Sequence, residues 1–263
     1  MPVDTFERML CHAPRADRLI LQGLGEPTLH PQLRRFIEIS QSSRKYDQIG
    51  FNTNGLAITA GEFSDLSIDF VNISIDSLVP DTAAVLRSGT DCIRLRGALV
   101  NLCREFHDSV TVSVVLSRRN MSELSSLLAD VYELGARHVE VQPMISYDGD
   151  SNGLCLTGDQ LAHIADQTNA SALPGLHVGF APAMVPTGKR CLRPLLSAYV
   201  TARGFVTPCC MTEDESLYGF ANLKDTPFAD IWAATAVQTW LTSYRQNEPQ
   251  LCRRCPFNPA GVK

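Results

Sequence analysis

The chain has no apolar run long enough to span a bilayer, and its opening residues, Met-Pro-Val-Asp-Thr-Phe-Glu-Arg, contain no signal-like apolar core. A membrane-spanning or secreted product is not expected, and the sequence reads as that of a cytoplasmic protein. It also has no basic run. With 23 Lys+Arg against 28 Asp+Glu the formal net charge is −5, which argues against nucleic acid and against an anionic membrane surface as partners. Internal repeats and low-complexity tracts are missing, so neither a solenoid nor a disordered tail is expected. What remains is 263 residues, 44% of them hydrophobic, enough for one large domain plus a smaller one with a real core. Nine cysteines is a high count. In a reducing compartment clustered cysteines bind metal more often than they form disulfides.

Three stretches share one design. Leu19–Gln22 is a short apolar run that stops at Gly23-Leu24-Gly25-Glu26-Pro27, which reads as a buried strand ending in a tight loop that presents a carboxylate. Phe51-Asn52-Thr53-Asn54-Gly55 and Asn72-Ile73-Ser74-Ile75-Asp76 repeat the pattern, with small polar residues just after apolar ones. In a β/α chain such strand ends converge on one rim, where these folds keep their sites.

Periodicity supplies the rest. Helical stripes are expected over Asp4–Cys11 (Phe6, Met9, Leu10), after Pro31 (Leu33, Phe36, Ile37), over Cys92–Phe106, and from Leu124 to a stop at Gly135. Thr59 with Glu62, and Asn120 with Glu123, read as capping boxes, the first opening a short helix. Strands are expected at Ile49–Thr53, Phe70–Ile75, Val110–Leu116 and His138–Gln142. This alternation predicts an α/β fold: a parallel sheet with right-handed crossovers, open or curved into a partial (β/α) barrel, over residues 1–144. Residues 145–187 read as a bridging segment with one helix capped at Thr157 and Gln160. Residues 188–263 read as a small cysteine-rich α+β domain with a helix starting near Pro227.

Four cysteines stand out in that last unit. Cys191 and Cys209 flank a pair of β-rich pieces around Arg203-Gly204, a hairpin that would bring the two together, and Cys252-Arg-Arg-Cys255 is a C-x-x-C pair. Four thiolates close the shell of zinc or of an iron–sulfur cluster, and the spacing does not choose between them. Cys209 and Cys210 are adjacent, so which one ligates stays open, although the spacing from Gly204 favours Cys209. Cys92 and Cys103 fall on a helical stripe and read as buried apolar residues.

Together these motifs resemble the radical S-adenosylmethionine (SAM) superfamily, in its branch with a C-terminal SPASM or twitch domain. The matching pieces are Gly23–Pro27, Phe51–Gly55, Asn72–Asp76, Leu86-Arg87-Ser88-Gly89, Phe228–Trp232 and the cysteine tail, in order along nearly the whole chain. A dinucleotide fingerprint fits poorly, since its third glycine is absent and Pro27 intrudes. The resemblance implies that Gly25 and Glu26 hold the SAM amino group, that Ser74 and Asp76 lie near its ribose, and that Arg87 and Gln142 are candidates for its carboxylate and adenosyl side. Asn120 is set aside as an N-cap. The tail fits the short, twitch form, implying one auxiliary 4Fe–4S cluster on Cys191, Cys209, Cys252 and Cys255, with an electron-transfer role. Also implied are hydrogen abstraction by a 5′-deoxyadenosyl radical, a peptide or small-molecule substrate that is oxidised or cross-linked, and an electron donor such as a flavodoxin or ferredoxin.

The sequence departs from the family at its defining element. No C-x-x-x-C-x-x-C spacing occurs, and Cys11 is the only cysteine before Gly23. Those cysteines bind the radical-SAM 4Fe–4S cluster that cleaves SAM, so that cluster is expected only if a preceding segment, with the first barrel strand, is supplied. A late-placed start, a degenerate pseudoenzyme and a fragment completed by another polypeptide are the three accounts of the difference, the first preferred. A non-catalytic module with a structural four-cysteine metal site is the alternative from a different class.

Overall fold

The computed structural model describes residues 1–144, 153–171, 173–181, 191–212 and 214–247, with Pro249, Cys252 and Cys255. Helix α1 (Val3–His12) leads into β1 (Ala16–Leu21), α2 (Leu33–Ser43), β2 (Tyr46–Thr53), β3 (Phe70–Ser74), α3 (Pro80–Leu86), α4 (Cys92–Phe106), β4 (Val110–Leu116), α5 (Leu124–Glu133), β5 (His138–Pro143), α6 (Gly158–Ala170) and β6 (His177–Phe180). The six strands are all parallel and lie side by side in chain order. Crossovers of one hand between successive neighbours put every helix on the same side of a sheet. The result is an α/β partial barrel, as the strand–helix alternation predicts.

One face of the sheet is accordingly covered and the other open. On the covered face Phe51, Ile73, Val112, Val114, Val139 and Val141 form one core with Ile37 of α2, Leu95, Leu99 and Leu102 of α4, Leu127 and Val131 of α5, and Leu161 of α6. Most residues between them on the strands are polar: Asn52, Asn72, Ser74, Thr111, Ser113, His138, Glu140 and Gln142. Burial alternates strictly along β4, every second residue of VTVSVVL being buried, as in strands with one wet face.

Some local expectations are corrected. Pro31 lies in a turn, and α2 begins at Leu33 after Gln32. Glu62 does accept from Thr59 N (3.0 Å) and Thr59 Oγ1 (3.1 Å), but turns follow instead of a helix, because Gly61 adopts φ +74°. The bridging segment carries its expected helix, with both halves of the Thr157–Gln160 capping box formed, and also carries β6, which pairs with β5. The expected limit near Gly188 falls outside the described residues.

The C-terminal unit contains α7 (Arg193–Leu196), an antiparallel pair β7 (Tyr199–Val200) and β8 (Val206–Thr207), α8 (Glu215–Tyr218), α9 (Phe228–Ala233) and α10 (Thr235–Gln246). Gly204 turns the hairpin at φ +95°, where a side chain would meet Asn222 Oδ1 at 2.6 Å. Helix α1 ties this unit to the sheet. Its Met9 packs with Val206, Leu223, Ile231, Val237 and Leu241, while Phe6 and Leu10 pack on Phe36 of α2, the two phenyl rings 4.5 Å apart. His12 Nδ1 bonds the Leu223 carbonyl at 2.8 Å. Lys45 Nζ donates to the carbonyls of Leu10, Cys11 and Ala13 at 2.7, 2.9 and 2.7 Å, a cation set on the negative end of α1.

Candidate functional site

The C-terminal ends of β1 and β2 meet at Glu26. Its Oε1 accepts from Thr28 N (3.0 Å), Thr28 Oγ1 (2.6 Å) and Thr53 Oγ1 (2.7 Å), and its Oε2 accepts from Asn54 N (2.6 Å). The carboxylate therefore knots the loop after β1 to the end of β2. A carboxylate offers about four acceptor positions, two per oxygen, so Oε2 keeps capacity for a further donor.

The glycines around this knot differ in kind. Gly55 has φ +77°, and a Cβ there would lie 2.7 Å from Ile73 Cδ1, so the fold itself demands glycine. Gly25 lacks a left-handed φ and has nothing within 4 Å of an added Cβ, and Gly23 has only Gly25 N at 4.0 Å. The fold does not require either, and their bareness leaves the backbone of this exposed loop open to close approach from outside.

Beside the knot, Asn54, Ser74, Asp76, Ser77, Leu86 and Arg87 line an open cleft. Asp76 is buried; its Oδ1 accepts from Val115 N (2.7 Å) and its Oδ2 from Arg87 Nε (2.5 Å). Arg87 lines the cleft and is 39% exposed, with its Nε engaged by Asp76. Three of the six expected SAM-site residues, Ser74, Asp76 and Arg87, thus share one cleft. Glu26 joins it through Asn54, and Gly25 stands on the adjoining loop. Gln142 lies one strand further along, in register with the Val115 that donates to Asp76.

Asn120 belongs to this region and was missed by sequence reasoning. It makes no capping bond. Instead its Nδ2 donates to the carbonyls of Asp76 (2.8 Å) and Val115 (3.0 Å), and its Oδ1 accepts from Ser117 N (2.8 Å) and Ser117 Oγ (2.9 Å). It is the latch that fixes the segment after β3 against the end of β4. The Asn-x-x-Glu pattern suggests a cap, and only the pairing of β3 with β4 reveals the latch.

In the C-terminal unit, Cys209 follows the hairpin and is mostly enclosed; burial pushes its thiol up, opposed by hydrogen bonds from Met211 N–H and the Thr212 hydroxyl. Cys191 is near enough that its charge is felt at Cys209. The Cys191 carbonyl accepts from Tyr244 Oη at 2.7 Å. Cys252 and Cys255 share one turn, closed by Cys255 N to the Cys252 carbonyl at 3.2 Å. Cys210 instead faces Arg193 Nη1 at 3.9 Å. Among the described residues no three of His, Cys, Asp or Glu are gathered closely enough to hold a metal ion. The chemistry of the set still fits one: four soft thiolate donors in two close pairs, one sulfur already receiving the hydrogen bonds that tune such centres. Thiolates have no reason to converge without the metal that they bind. Cys92 and Cys103 are buried on α4, and burial pushes the Cys103 thiol up to about 11, which makes it inert.

The SPASM family, an iron–sulfur cluster-binding domain, matches residues 191–256. The tungsten-containing aldehyde ferredoxin oxidoreductase cofactor-modifying protein of Pyrococcus furiosus is 24% identical over 276 residues, covering 94% of this chain and 76% of its own length. Among solved structures, native anSMEcpe with bound AdoMet superposes with a TM-score of 0.72 at 17% identity, covering 100% of this chain and 79% of that one. Streptococcus suis SuiB bound to precursor peptide SuiA gives a TM-score of 0.74 at 14% identity, covering 99% and 64%.

Proposed function

Because the chain belongs to the radical SAM superfamily, in the branch with a C-terminal SPASM iron–sulfur domain, we propose that it serves as a redox maturase. In this reading it binds SAM at the strand-end cleft and an auxiliary 4Fe–4S cluster on Cys191, Cys209, Cys252 and Cys255. Its substrate is a peptide or small molecule. SuiB with its precursor peptide and the cofactor-modifying protein of Pyrococcus furiosus support that substrate class. The observation that carries the reading is the convergence of Glu26, Ser74, Asp76 and Arg87 on one rim, next to two glycines that the fold does not need.

Each residue has a binding task. The free capacity of Glu26 Oε2 suits the ammonium of SAM, and the bare backbone of Gly25 lets it come close. The guanidinium of Arg87 suits the SAM carboxylate. Ser74 offers a hydroxyl to the ribose, while Asp76, held by Arg87 and Val115, positions that guanidinium. Gln142 offers an amide toward the adenosyl side. When bound, SAM supplies hydrogen-abstracting chemistry and the auxiliary cluster a one-electron relay. The 263 residues contain no three-cysteine loop that fits a SAM-cleaving cluster, so this chain's own groups account for binding and orientation alone.

The test exploits the empty space at Gly25. In Gly25→Val the new Cβ has nothing within 4 Å beyond its chain neighbours, so stability should change by no more than about 0.5 kcal/mol. Equilibrium dialysis of labelled SAM against the anaerobically prepared protein should show binding to the parent and loss of at least about tenfold in the variant, the size of one charge-assisted contact. Equal binding by both proteins would take SAM away from this loop, and no binding by the parent would end the reading. The same thiolates also fit zinc, and a non-catalytic module with structural zinc is the competing account; metal analysis separates the two.

A further inference from the structure

On the open face of the sheet, Glu140 is an acid that no other group among the described residues engages. Glu140 lies on β5 between Ser113 of β4 and Gly179 of β6, in register with both. We propose that Glu140 is the substrate-recognition residue of this face, and that the substrate presents a cationic group to it, a primary ammonium or a guanidinium. The proposal rests on the functional reading above, in which the face beside the strand-end cleft receives the substrate.

The first support is the contrast with neighbouring acids. Glu26 accepts four hydrogen bonds, Asp76 is paired with Arg87, and Glu123 accepts from Ser77 Oγ (2.6 Å) and Thr82 Oγ1 (2.5 Å). Glu140 has no hydrogen bond and no ion pair among the described residues. Its side chain is exposed, yet the strands around it desolvate it enough to push its pKa above the ordinary carboxylate value. A partly desolvated carboxylate without a donor is a cost to the fold that a bound cation would relieve.

The second support is Gly179. This glycine has no left-handed φ, yet a Cβ there would lie 2.3 Å from Glu140 Oε1 and 2.9 Å from Oε2. Its bareness provides the floor on which the carboxylate rests. The third support is the polar, hydrogen-bonded character of the rest of the face. Asn72 Nδ2 donates to Asn52 Oδ1 (2.8 Å) and Asn52 Nδ2 to Gln22 Oε1 (2.5 Å), an amide ladder across three strands. His138 and His177 stack on the adjacent rung, ring centroids 5.2 Å apart. Arg18, its guanidinium 3.9 Å over the Phe70 ring, is on β1 at the far edge of the sheet. A cation arriving at β5 therefore meets a carboxylate among polar side chains, with the arginine of this face held at the far edge, which gives both attraction and register.

The probes are an acetylated Gly-Lys-Gly amide and its isosteric norleucine counterpart, titrated into the full-length, anaerobically prepared protein with SAM affinity read on the same samples. The parent should bind the lysyl peptide at least about tenfold more tightly than the norleucyl one, as expected for one charge-assisted contact. Glu140→Gln should erase that preference and leave SAM affinity unchanged. Gly179→Ala, which displaces the carboxylate without removing it, should reduce the preference to an intermediate value. A preference that survives Glu140→Gln, or a parent with no preference, overturns the assignment. Failure of the parent to bind SAM overturns the functional reading instead, because the lysine preference is scored independently of it.

Discussion

Asn120 and Glu140 show two fates of a polar side chain near a strand end. Asn120 is 2% exposed and meets four partners, so its truncation strands several buried donors and acceptors at once. Asn120→Ala should lower unfolding free energy by roughly 3 kcal/mol, read from urea denaturation; a loss below about 1 kcal/mol would mean that the latch is not structural. Glu140 has the opposite character. Its folded-state pKa is raised by partial desolvation, so it costs nothing where both states are protonated, and the cost grows as pH rises from the unfolded to the folded pKa and is constant above it. Glu140→Gln should therefore stabilise the protein at pH 7.5 but not at pH 3.5, as measured by thermal unfolding. A gain of equal size at both pH values would assign the effect to packing. Neither role was legible in the sequence. The polar residues after β1, β2 and β3 were visible as strand-end chemistry, but Asn120 mimics a cap, and Glu140 looks like any outward residue of an alternating strand until register sets it against Gly179.

Elements were more legible than residues where one periodic stripe dominates. The helix over Cys92–Phe106 and the strand Val110–Leu116 have the expected bounds, because long apolar stripes outweigh any local competitor. Prediction fell short where local chemistry competes. Thr59 and Glu62 form cap-like bonds that lead only into turns, and β6, with just four residues, carries too weak an alternation to stand out. Helix α1 is the element with the widest reach, since its two faces pack on different units. Lys45, which bonds its last carbonyls, should matter beyond its own contacts. Lys45→Met should cost about 1–2 kcal/mol, the upper range for a cation at a helix C-terminus, seen as a lower melting temperature. An unchanged melting temperature would show that apolar packing alone fixes α1.

At the scale of the whole molecule, a singly wound parallel sheet keeps one face wet because all its helices lie on the other. That geometry creates both the strand-end cleft and the open polar face, and it was legible from the alternation of strands and helices. The pairing of this sheet with a cysteine-bearing hairpin unit was legible from Cys191, Gly204, Cys209 and the Cys252–Cys255 pair. The identity of the metal was not, since zinc and an iron–sulfur cluster accept the same thiolates. Among the described residues no helix is long and apolar enough to cross a membrane. The most direct test is iron and acid-labile sulfide per chain after anaerobic purification, in the parent and in Cys252→Ala and Cys255→Ala. The account predicts a brown parent with about four of each, and loss of both in either variant. A colourless parent holding zinc, or iron retained in both variants, would contradict it.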